Sequence, residues 1–178
     1  IHGKGRLEGV TIAAVDENRN VIEESKRYIP CDTLLLSVGL IPENELTRAA
    51  GIPIDPVTNG ALVDENCQTG IPGIFACGNV LQVHDLVDYV SEESEIAGRS
   101  AAEYILNTAA AESINIPLKT DGKIRYTVPQ VITQKKDLAV YFRVADVYRD
   151  VTIHVYDENR NEIYKKRKLK VAPGEMEN

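Results

Sequence analysis

Apolar and polar residues alternate near the start of the chain and predict an antiparallel hairpin over residues 5–30. The acidic and amide-rich pentapeptide 16–20 supplies its turn, because Asp and Asn side chains hydrogen-bond the nearby backbone. The same pentapeptide recurs at 157–161, which indicates shared turn chemistry rather than a duplicated domain. The apolar positions of the first strand are Leu7, Val10, Ile12 and Val15.

A continuous apolar run follows between Asp32 and Pro42 and contains Gly39. Alternation is absent here, so the run predicts a strand that is buried on both faces, as in a parallel sheet. Gly39 and Pro42 are expected to end this strand.

Two helices are predicted before residue 107. A short helix over residues 45–50 should end at Gly51 in the left-handed conformation. A longer one covers Ser91 to Leu106, with Ser91 as the N-cap and acidic residues in its first turn, where the helix dipole favours them. Gly98 and neighbouring alanines give this helix a face of small side chains, which permits close approach to a sheet.

The segment from Cys67 to Asn79 carries the most specific pattern in the chain. A turn at Pro72 and Gly73 leads into a short buried strand, residues 74–77. Gly78 lets the backbone come close to a ligand at the carboxyl end of that strand, where open α/β sheets bind ligands. Asn79 then offers hydrogen bonds from the strand tip.

This order of residues resembles the second flavin-binding motif of the pyridine nucleotide–disulfide oxidoreductase superfamily, which reads T-x-x-P-G-[IV]-[FY]-A-x-G-D. The resemblance implies that Gly78, Asn79 and Val80 contact FAD. In the family, the final acid holds a hydroxyl of the ribityl chain, and Asn79 stands in its place here. An amide still accepts a hydrogen bond but carries no charge, which implies a weaker contact with FAD.

The same resemblance gives the long helix a role. In the family, the corresponding helix points its amino end at the flavin pyrimidine and donates a backbone N–H to the ring oxygen. Ser91, Glu92 and Glu93 are expected at that position. Donors at a helix start would stabilise negative charge on a reduced flavin. A plain packing helix, with no cofactor beside it, is the alternative.

The apolar run is similar to the family's other shared motif, acid–x–apolar run–x–G–x–x–P–N, at the end of the NAD(P) domain. Four residues match it, and Glu43 is a departure between the Pro and the Asn. The implied fold class is α/β: a partial fold with two dinucleotide-binding domains over residues 1–112, then a small antiparallel all-β domain over 119–178. The matching residues are Asp32, Gly39, Pro42 and Asn44.

Residues 107–122 have the composition of a linker, and the chain beyond them alternates again. The alternation predicts a small antiparallel sandwich or barrel. The basic run Tyr164–Lys168 is either a solvated edge strand or a docking patch for an acidic partner. His154 is expected on the surface or in the core rather than as a metal ligand. The predicted strands are Ile124–Val128, Leu138–Val144, Val151–Tyr156 and Glu162–Val171.

The chain is expected to be the carboxyl-terminal fragment of a longer flavoprotein. Its one methionine is Met176, and no G-x-G-x-x-G follows a strand. Gly3 and Gly5 have the first spacing of that motif but lack the third glycine. Without the pyrophosphate-binding half, we expect no stable FAD binding by these 178 residues alone.

Composition narrows the partners. The net charge of −7 argues against nucleic acid and anionic membranes, and no apolar run approaches the about 20 residues of a membrane span. The cysteines, Cys31, Cys67 and Cys77, are odd in number and never spaced C-x-x-C. Small buried thiols in a reducing cytoplasm fit this pattern better than a metal site or disulfides. His84 and Asp85 are either a proton relay near the flavin or an ordinary loop or surface pair.

The resemblance implies an oxidoreductase in which NAD(P)H delivers hydride to FAD and the flavin passes electrons to a second acceptor. Catalytic residues are not identifiable in this part of the chain. The segment 80–90 and the added β domain resemble the FAD subunits that accompany anaerobic glycerol-3-phosphate dehydrogenases, and the α-type chains of sarcosine and opine oxidases. This subgroup implies a partner dehydrogenase or electron-transfer subunit. The alternative is a non-catalytic β-rich docking module with a vestigial nucleotide-binding segment.

Overall fold

A computed structural model describes residues 1–106 and 114–178. The chain forms two compact units, residues 1–39 and residues 40–178. This division lies elsewhere than the expected boundary between residues 112 and 119, and that domain boundary stays a prediction. None of the described helices is long and apolar enough to cross a membrane.

The first unit contains the predicted hairpin. Strand β1, Gly9–Ile12, pairs antiparallel with β2, Arg27–Pro30. The second strand begins later than its apolar pattern suggests, because a 3-10 turn at Glu23–Ser25 interrupts it. A single bridge between Val15 and Val21 extends the pairing toward the turn.

The two identical pentapeptides form identical turns. Asp16 Oδ1 accepts hydrogen bonds from the backbone N–H of Asn18 at 2.9 Å and of Asn20 at 2.8 Å. Asp157 Oδ1 accepts from Asn159 and Asn161 at the same distances. These donors favour the ionised carboxylate and lower the pKa of both aspartates. The recurrence therefore reflects local turn chemistry, as predicted.

The expected strand between Asp32 and Pro42 is wrong. Residues 31–44 have no regular secondary structure, and Leu35 is 90% exposed and Val38 87% exposed. A strand buried on both faces needs hydrogen-bonded neighbours and covering elements, and no described strand pairs with this run. The apolar side chains of this run would be buried only if other elements covered them, and none of the described elements does so.

In the second unit, helix α1 spans Glu45–Ala49. Gly51 follows it with φ +73° and is the predicted glycine in the left-handed conformation. Asn44, just before the helix, is buried and joins two distant segments. Its Nδ2 donates to the backbone oxygens of Asn59 and Val80, both at 2.8 Å. Thr47 Oγ1 donates to Asn44 Oδ1 and fixes the amide orientation.

The main apolar core joins the middle of the chain to the start of its β-rich part. Leu81 lies at its centre and is completely buried. Gly60 packs against it so closely that a Cβ there would lie 1.7 Å from the Leu81 carbonyl oxygen. Only glycine fits this approach. The core residues are Ile52, Ala61, Val63, Leu81, Tyr126 and Val128.

Helix α2, Val87–Ile105, begins before the predicted start at Ser91. The N-cap is Leu86 in an extended conformation, and no side chain caps the helix. Ser91 Oγ instead donates to the Val87 carbonyl oxygen at 3.1 Å, one turn back. The expectation of Ser91 as N-cap is therefore wrong, because Val87–Val90 already adopt helical geometry.

The carboxyl-terminal part forms three two-stranded antiparallel ladders instead of one sandwich or barrel. Residues 107–113 of the expected linker lie outside the described residues, and residues 116–117 form a strand instead of linker. A second small core of Phe142, Val144 and Val171 lies under the last ladder. The pairs are β3, Ile116–Pro117, with β5, Val131–Ile132; β4, Ile124–Val128, with β6, Tyr141–Val144; and β7, Tyr148–Tyr156, with β8, Glu162–Val171.

Two Leu-to-Ala substitutions distinguish the true core from the exposed apolar run. Leu81→Ala should lower the free energy of unfolding by about 2–5 kcal/mol, because it empties a fully buried site. Leu35→Ala should change it by less than about 0.5 kcal/mol. Urea unfolding of the 178-residue chain, followed by circular dichroism, measures both. Equal losses for the two variants would contradict this assignment of the core.

Candidate functional site

The segment before Gly78 is a short bridged stretch and not the buried strand that was expected over residues 74–77. Phe75 forms a single antiparallel bridge with Gln68. The predicted turn is present, with Gly73 at φ +83°. Because this turn folds the segment back on its own predecessor, no parallel neighbour covers it, and Ile74 remains 38% exposed.

Gly78 is held in a conformation that favours glycine. Its φ is +70°, and it opens a 3-10 turn, Gly78–Val80. A Cβ at this position would lie 3.4 Å from Val90 Cγ1, an ordinary contact. The conformation, rather than lack of space, therefore requires glycine here. The same contact places the first turn of α2 directly against the Gly78 turn.

Glu93 ties the helix to this turn. Its side chain is only 5% exposed, and Oε2 accepts the Gly78 backbone N–H at 2.5 Å. Gln82 Nε2 donates to Oε1 at 2.9 Å. His84 Nε2 lies 3.1 Å from Oε2, which fits an N–H donor because a carboxylate only accepts. Three donors thus compensate a carboxylate that is removed from water.

His84 lies in the loop before α2, as one part of its prediction stated. Its side chain is only 1% exposed, so the expectation of a surface histidine is wrong. The expected relay between His84 and Asp85 does not form either. Asp85 Oδ1 instead accepts from Arg143 at 2.5 Å, and its Oδ2 accepts the Met176 backbone N–H at 2.6 Å. The two neighbours point to different partners because the segment turns between them and enters α2.

Asn79 is exposed, yet its side chain is anchored. Oδ1 accepts the backbone N–H of His84 at 3.1 Å, and this donor identifies it as the amide oxygen. Asn79 Nδ2 carries two N–H donors on this exposed residue. Asn79 therefore offers donors together with the second lone pair of Oδ1, a different set from the free acceptor that its sequence position predicts.

The structure brings together only part of the predicted site. Gly78, Asn79 and Val80 share one turn, and Glu93 contacts it from α2. Ser91 and Glu92 are exposed on the second turn of the helix and do not reach it. The backbone N–H groups at the helix start that lack helical partners are those of residues 87–89, because the helix begins earlier than predicted.

Sequence reasoning missed Gln82 and the inward role of Glu93. Glu93 and Ala97 are both buried and lie one turn apart on the face of small side chains. An acid on that face was the available signal. Beside Glu93, two buried atoms have no hydrogen-bond partner among the described residues, Gln82 Oε1 and His84 Nδ1.

Cys67 contacts the same cluster from the opposite side. Its Sγ lies 3.9 Å from the Glu93 carbonyl oxygen. Burial raises the pKa of the Cys67 thiol to about 12, and the charge of Glu93 adds to this effect. Cys67 is therefore a protonated packing residue at neutral pH and not a nucleophile.

The candidate site lies within the part of the chain that resembles known proteins. The family of pyridine nucleotide-disulphide oxidoreductases matches residues 7–113, more than half of the chain. Putidaredoxin reductase CamA of Pseudomonas putida is 38% identical over 64 residues, 36% of this chain and 14% of that protein. No solved structure matches the chain.

Two further relatives extend the comparison. The ferredoxin–NAD(+) reductase component of the biphenyl dioxygenase system of Paraburkholderia xenovorans is 44% identical over 62 residues, 35% of this chain and 14% of that protein. Nitric oxide reductase FlRd-NAD(+) reductase of Salmonella arizonae is 27% identical over 143 residues, 79% of this chain and 33% of that protein. The chain thus spans one third or less of the length of these relatives.

The contribution of Glu93 is measurable against a neighbouring glutamate. Glu93→Ala leaves the donors of Gly78, Gln82 and His84 buried without an acceptor and should cost about 3–5 kcal/mol of unfolding free energy. Glu95→Ala, on the exposed side of α2, removes only a surface pair with Arg99 and should cost less than about 0.5 kcal/mol. Denaturant unfolding compares the two, and similar losses would refute the role assigned to Glu93.

Proposed function

The chain belongs to the pyridine nucleotide-disulphide oxidoreductase family, and on that premise we propose that it forms part of an FAD-dependent oxidoreductase that passes electrons between NAD(P)H and a second acceptor. The observation that carries the proposal is the turn Gly78–Val80. It occupies the position of the family's flavin motif, and Asn79 stands exposed on it with an anchored side chain.

The residues present fit a flavin. Asn79 would hold a ribityl hydroxyl, because its Nδ2 group donates and Oδ1 has a second lone pair. Gly78 and Glu93 would keep this amide in place, since the Glu93 carboxylate fixes the backbone immediately before it. The amide geometry is thus set before any ligand arrives, which reduces the entropy lost on binding.

The start of α2 would supply the second contact. Its unpaired backbone N–H groups at residues 87–89 lie at the positive end of the helix dipole. Val90 lies against the Gly78 turn, so these donors are near the same ligand position. They would stabilise negative charge on the ring, a role that the sequence assigned to Ser91, Glu92 and Glu93. When bound, FAD supplies the hydride-accepting chemistry and the protein supplies orientation and polarity.

The second acceptor is proposed to be a soluble electron-transfer protein. Several of the relatives that match are named as reductases of ferredoxin or of FlRd, and these names support a protein acceptor. The finer placement near the FAD subunits of anaerobic glycerol-3-phosphate dehydrogenases stays a prediction, as does a cytoplasmic location. The choice between NADH and NADPH is open to direct measurement.

The decisive experiment uses the protein expressed from its complete reading frame. We expect a yellow protein with an oxidised-flavin absorbance spectrum that NADH or NADPH bleaches in the absence of oxygen. A colourless, well-folded protein would reject the proposal in favour of the docking-module alternative. A yellow protein that neither nucleotide bleaches would reject the nicotinamide step alone.

Asn79→Asp tests the contact itself. The added carboxylate keeps one oxygen on the His84 N–H and offers the other, charged, to a sugar hydroxyl, so FAD should bind more tightly by about 1 kcal/mol, or about fivefold in Kd. Asn79→Leu should weaken binding. Asn115→Asp, an exposed site elsewhere, is the matched charge control. Fluorescence titration of the apoprotein with FAD measures all three, and no difference between Asn79→Asp and the control would contradict the contact.

A further inference from the structure

The basic residues of the ladder β7–β8 lie on its two opposite sides. Lys166 and Lys168 lie on the face that also carries the half-buried Val151 and Ile153. Lys166 Nζ donates to the backbone oxygen of Asn178 at 2.9 Å, and Lys168 Nζ lies 2.6 Å from a carboxylate oxygen of the buried Glu177. These two lysines therefore hold the carboxyl-terminal segment against the ladder.

The opposite face of the ladder is cationic and exposed. The pairing register places Arg149 opposite Lys170, Thr152 opposite Arg167 and His154 opposite Lys165. All six residues are exposed. Thr152 and His154 alternate with the half-buried Val151 and Ile153 and therefore lie on the outer side of the ladder with their partners. The alternation is interrupted at Asp150, whose φ is +48°, because Tyr148 packs against the same small core as Val151. Arg149 and Lys170, next to the core pair Tyr148 and Val171, thus lie on the outer side as well. We call this surface the basic face, defined by Arg149, Lys165, Arg167 and Lys170.

The pair of Arg149 and Lys170 breaks a rule of sheet stability. Like charges directly opposite each other in an antiparallel pair destabilise it. Among the described residues, neither side chain has an ion pair or hydrogen bond to offset this repulsion. Positions where a local rule is broken without compensation are commonly functional. The face therefore carries a cost that a partner with negative charge would remove.

The acids nearby do not cancel the charge of the basic face. Asp150 lies 3.6 Å from Arg167, with both side chains more than 70% exposed, and Glu162 is shared between His154 and Lys165. Exposed pairs of this kind contribute little and are screened by salt. Residues 148–171 hold seven Lys or Arg against four Asp or Glu, a net charge of +3 in a chain of net charge −7. The hairpin is thus a positive region in an otherwise acidic protein.

We propose that the basic face is the docking surface for an acidic, soluble electron-transfer protein. This inference rests on the proposed function, since the docked protein is its second acceptor. The electron balance is complete: one NAD(P)H supplies two electrons through the flavin, two molecules of a one-electron acceptor are reduced in succession, and one proton is released. Charge complementarity would steer the encounter and make it dependent on ionic strength.

A second copy of this chain is the competing occupant, because the rest of the chain is acidic. The two occupants have different measurable effects. Docking between copies would double the mass at low salt, whereas docking of a separate acceptor changes the rate of electron transfer and leaves the mass of the protein alone unchanged. The experiment below measures both.

The test compares charge reversal on the basic face with charge reversal elsewhere. Arg149→Glu/Lys170→Glu keeps a like-charge pair across the strands, so the stability of the hairpin should change little while the face reverses sign. Lys119→Glu/Lys135→Glu makes the same change of net charge at exposed lysines outside the ladder. The assay uses the holoprotein from the complete reading frame, with an acidic plant-type [2Fe–2S] ferredoxin as the probe. The electron donor is whichever of NADH and NADPH bleaches the flavin.

We expect the rate of ferredoxin reduction to fall as salt rises, and to fall at least about tenfold in the basic-face variant at low salt. The control variant should stay within about twofold of the unmodified protein, and the rate of flavin bleaching should be unchanged in both. Neutralising the pair, in Arg149→Gln/Lys170→Gln, should raise the melting temperature and slow ferredoxin reduction together. If the pair had only a structural role, the higher melting temperature would not be accompanied by slower ferredoxin reduction.

Three results would overturn the inference. The first is reduction of ferredoxin at equal rates by the basic-face and control variants. The second is no reduction of ferredoxin at all while the flavin is still bleached. Alternatively, the protein could elute at twice its mass at low salt and return to a single copy in the basic-face variant, which would assign the face to self-association. Failure of flavin bleaching itself would instead reject the proposed function, so the two failures are distinguishable.

Discussion

The buried carboxylate of Glu93 is the interaction on which the arrangement of the candidate site depends. It accepts from the backbone of Gly78 and from the side chains of Gln82 and His84, and it belongs to α2. A single buried side chain thus joins the turn Gly78–Val80, the connection after it and the long helix. Because a buried carboxylate is costly without its donors, loss of any one of the three contacts should weaken the other two segments' attachment to the helix.

Local chemistry was readable from the sequence wherever neighbours in the chain supply the interaction. The turn at Asp16, the left-handed cap at Gly51 and the ladder strand Glu162–Val171 follow from short-range patterns, and the structure contains them. The role of Glu93 was signalled only weakly, by an acid on the face of small side chains, because an acid near a helix start is equally consistent with a solvated first turn. Its burial is decided by Gln82 and His84, which reach it from outside the helix.

The two wrong strand predictions share one physical cause. The apolar run before Pro42 and the segment before Gly78 both have the composition of strands in a parallel sheet, but such strands form only between hydrogen-bonded neighbours. The described residues provide no parallel neighbour for either. Both segments still carry the residues that resemble the family motifs. Those residues serve turns and ligand contacts, which depend less on neighbouring strands than a parallel sheet does.

Gly60 gives the site an unexpected vulnerability. It precedes the turn Gly78–Val80 by 18 residues in sequence, yet its missing side chain makes room for the carbonyl group of Leu81. Gln82, the next residue, donates to Glu93. Adding a single methyl group at residue 60 would therefore push on the backbone that carries one of the three donors. A substitution at this buried glycine would thus disturb the Glu93 cluster through the backbone, without touching Glu93 or any of its donors.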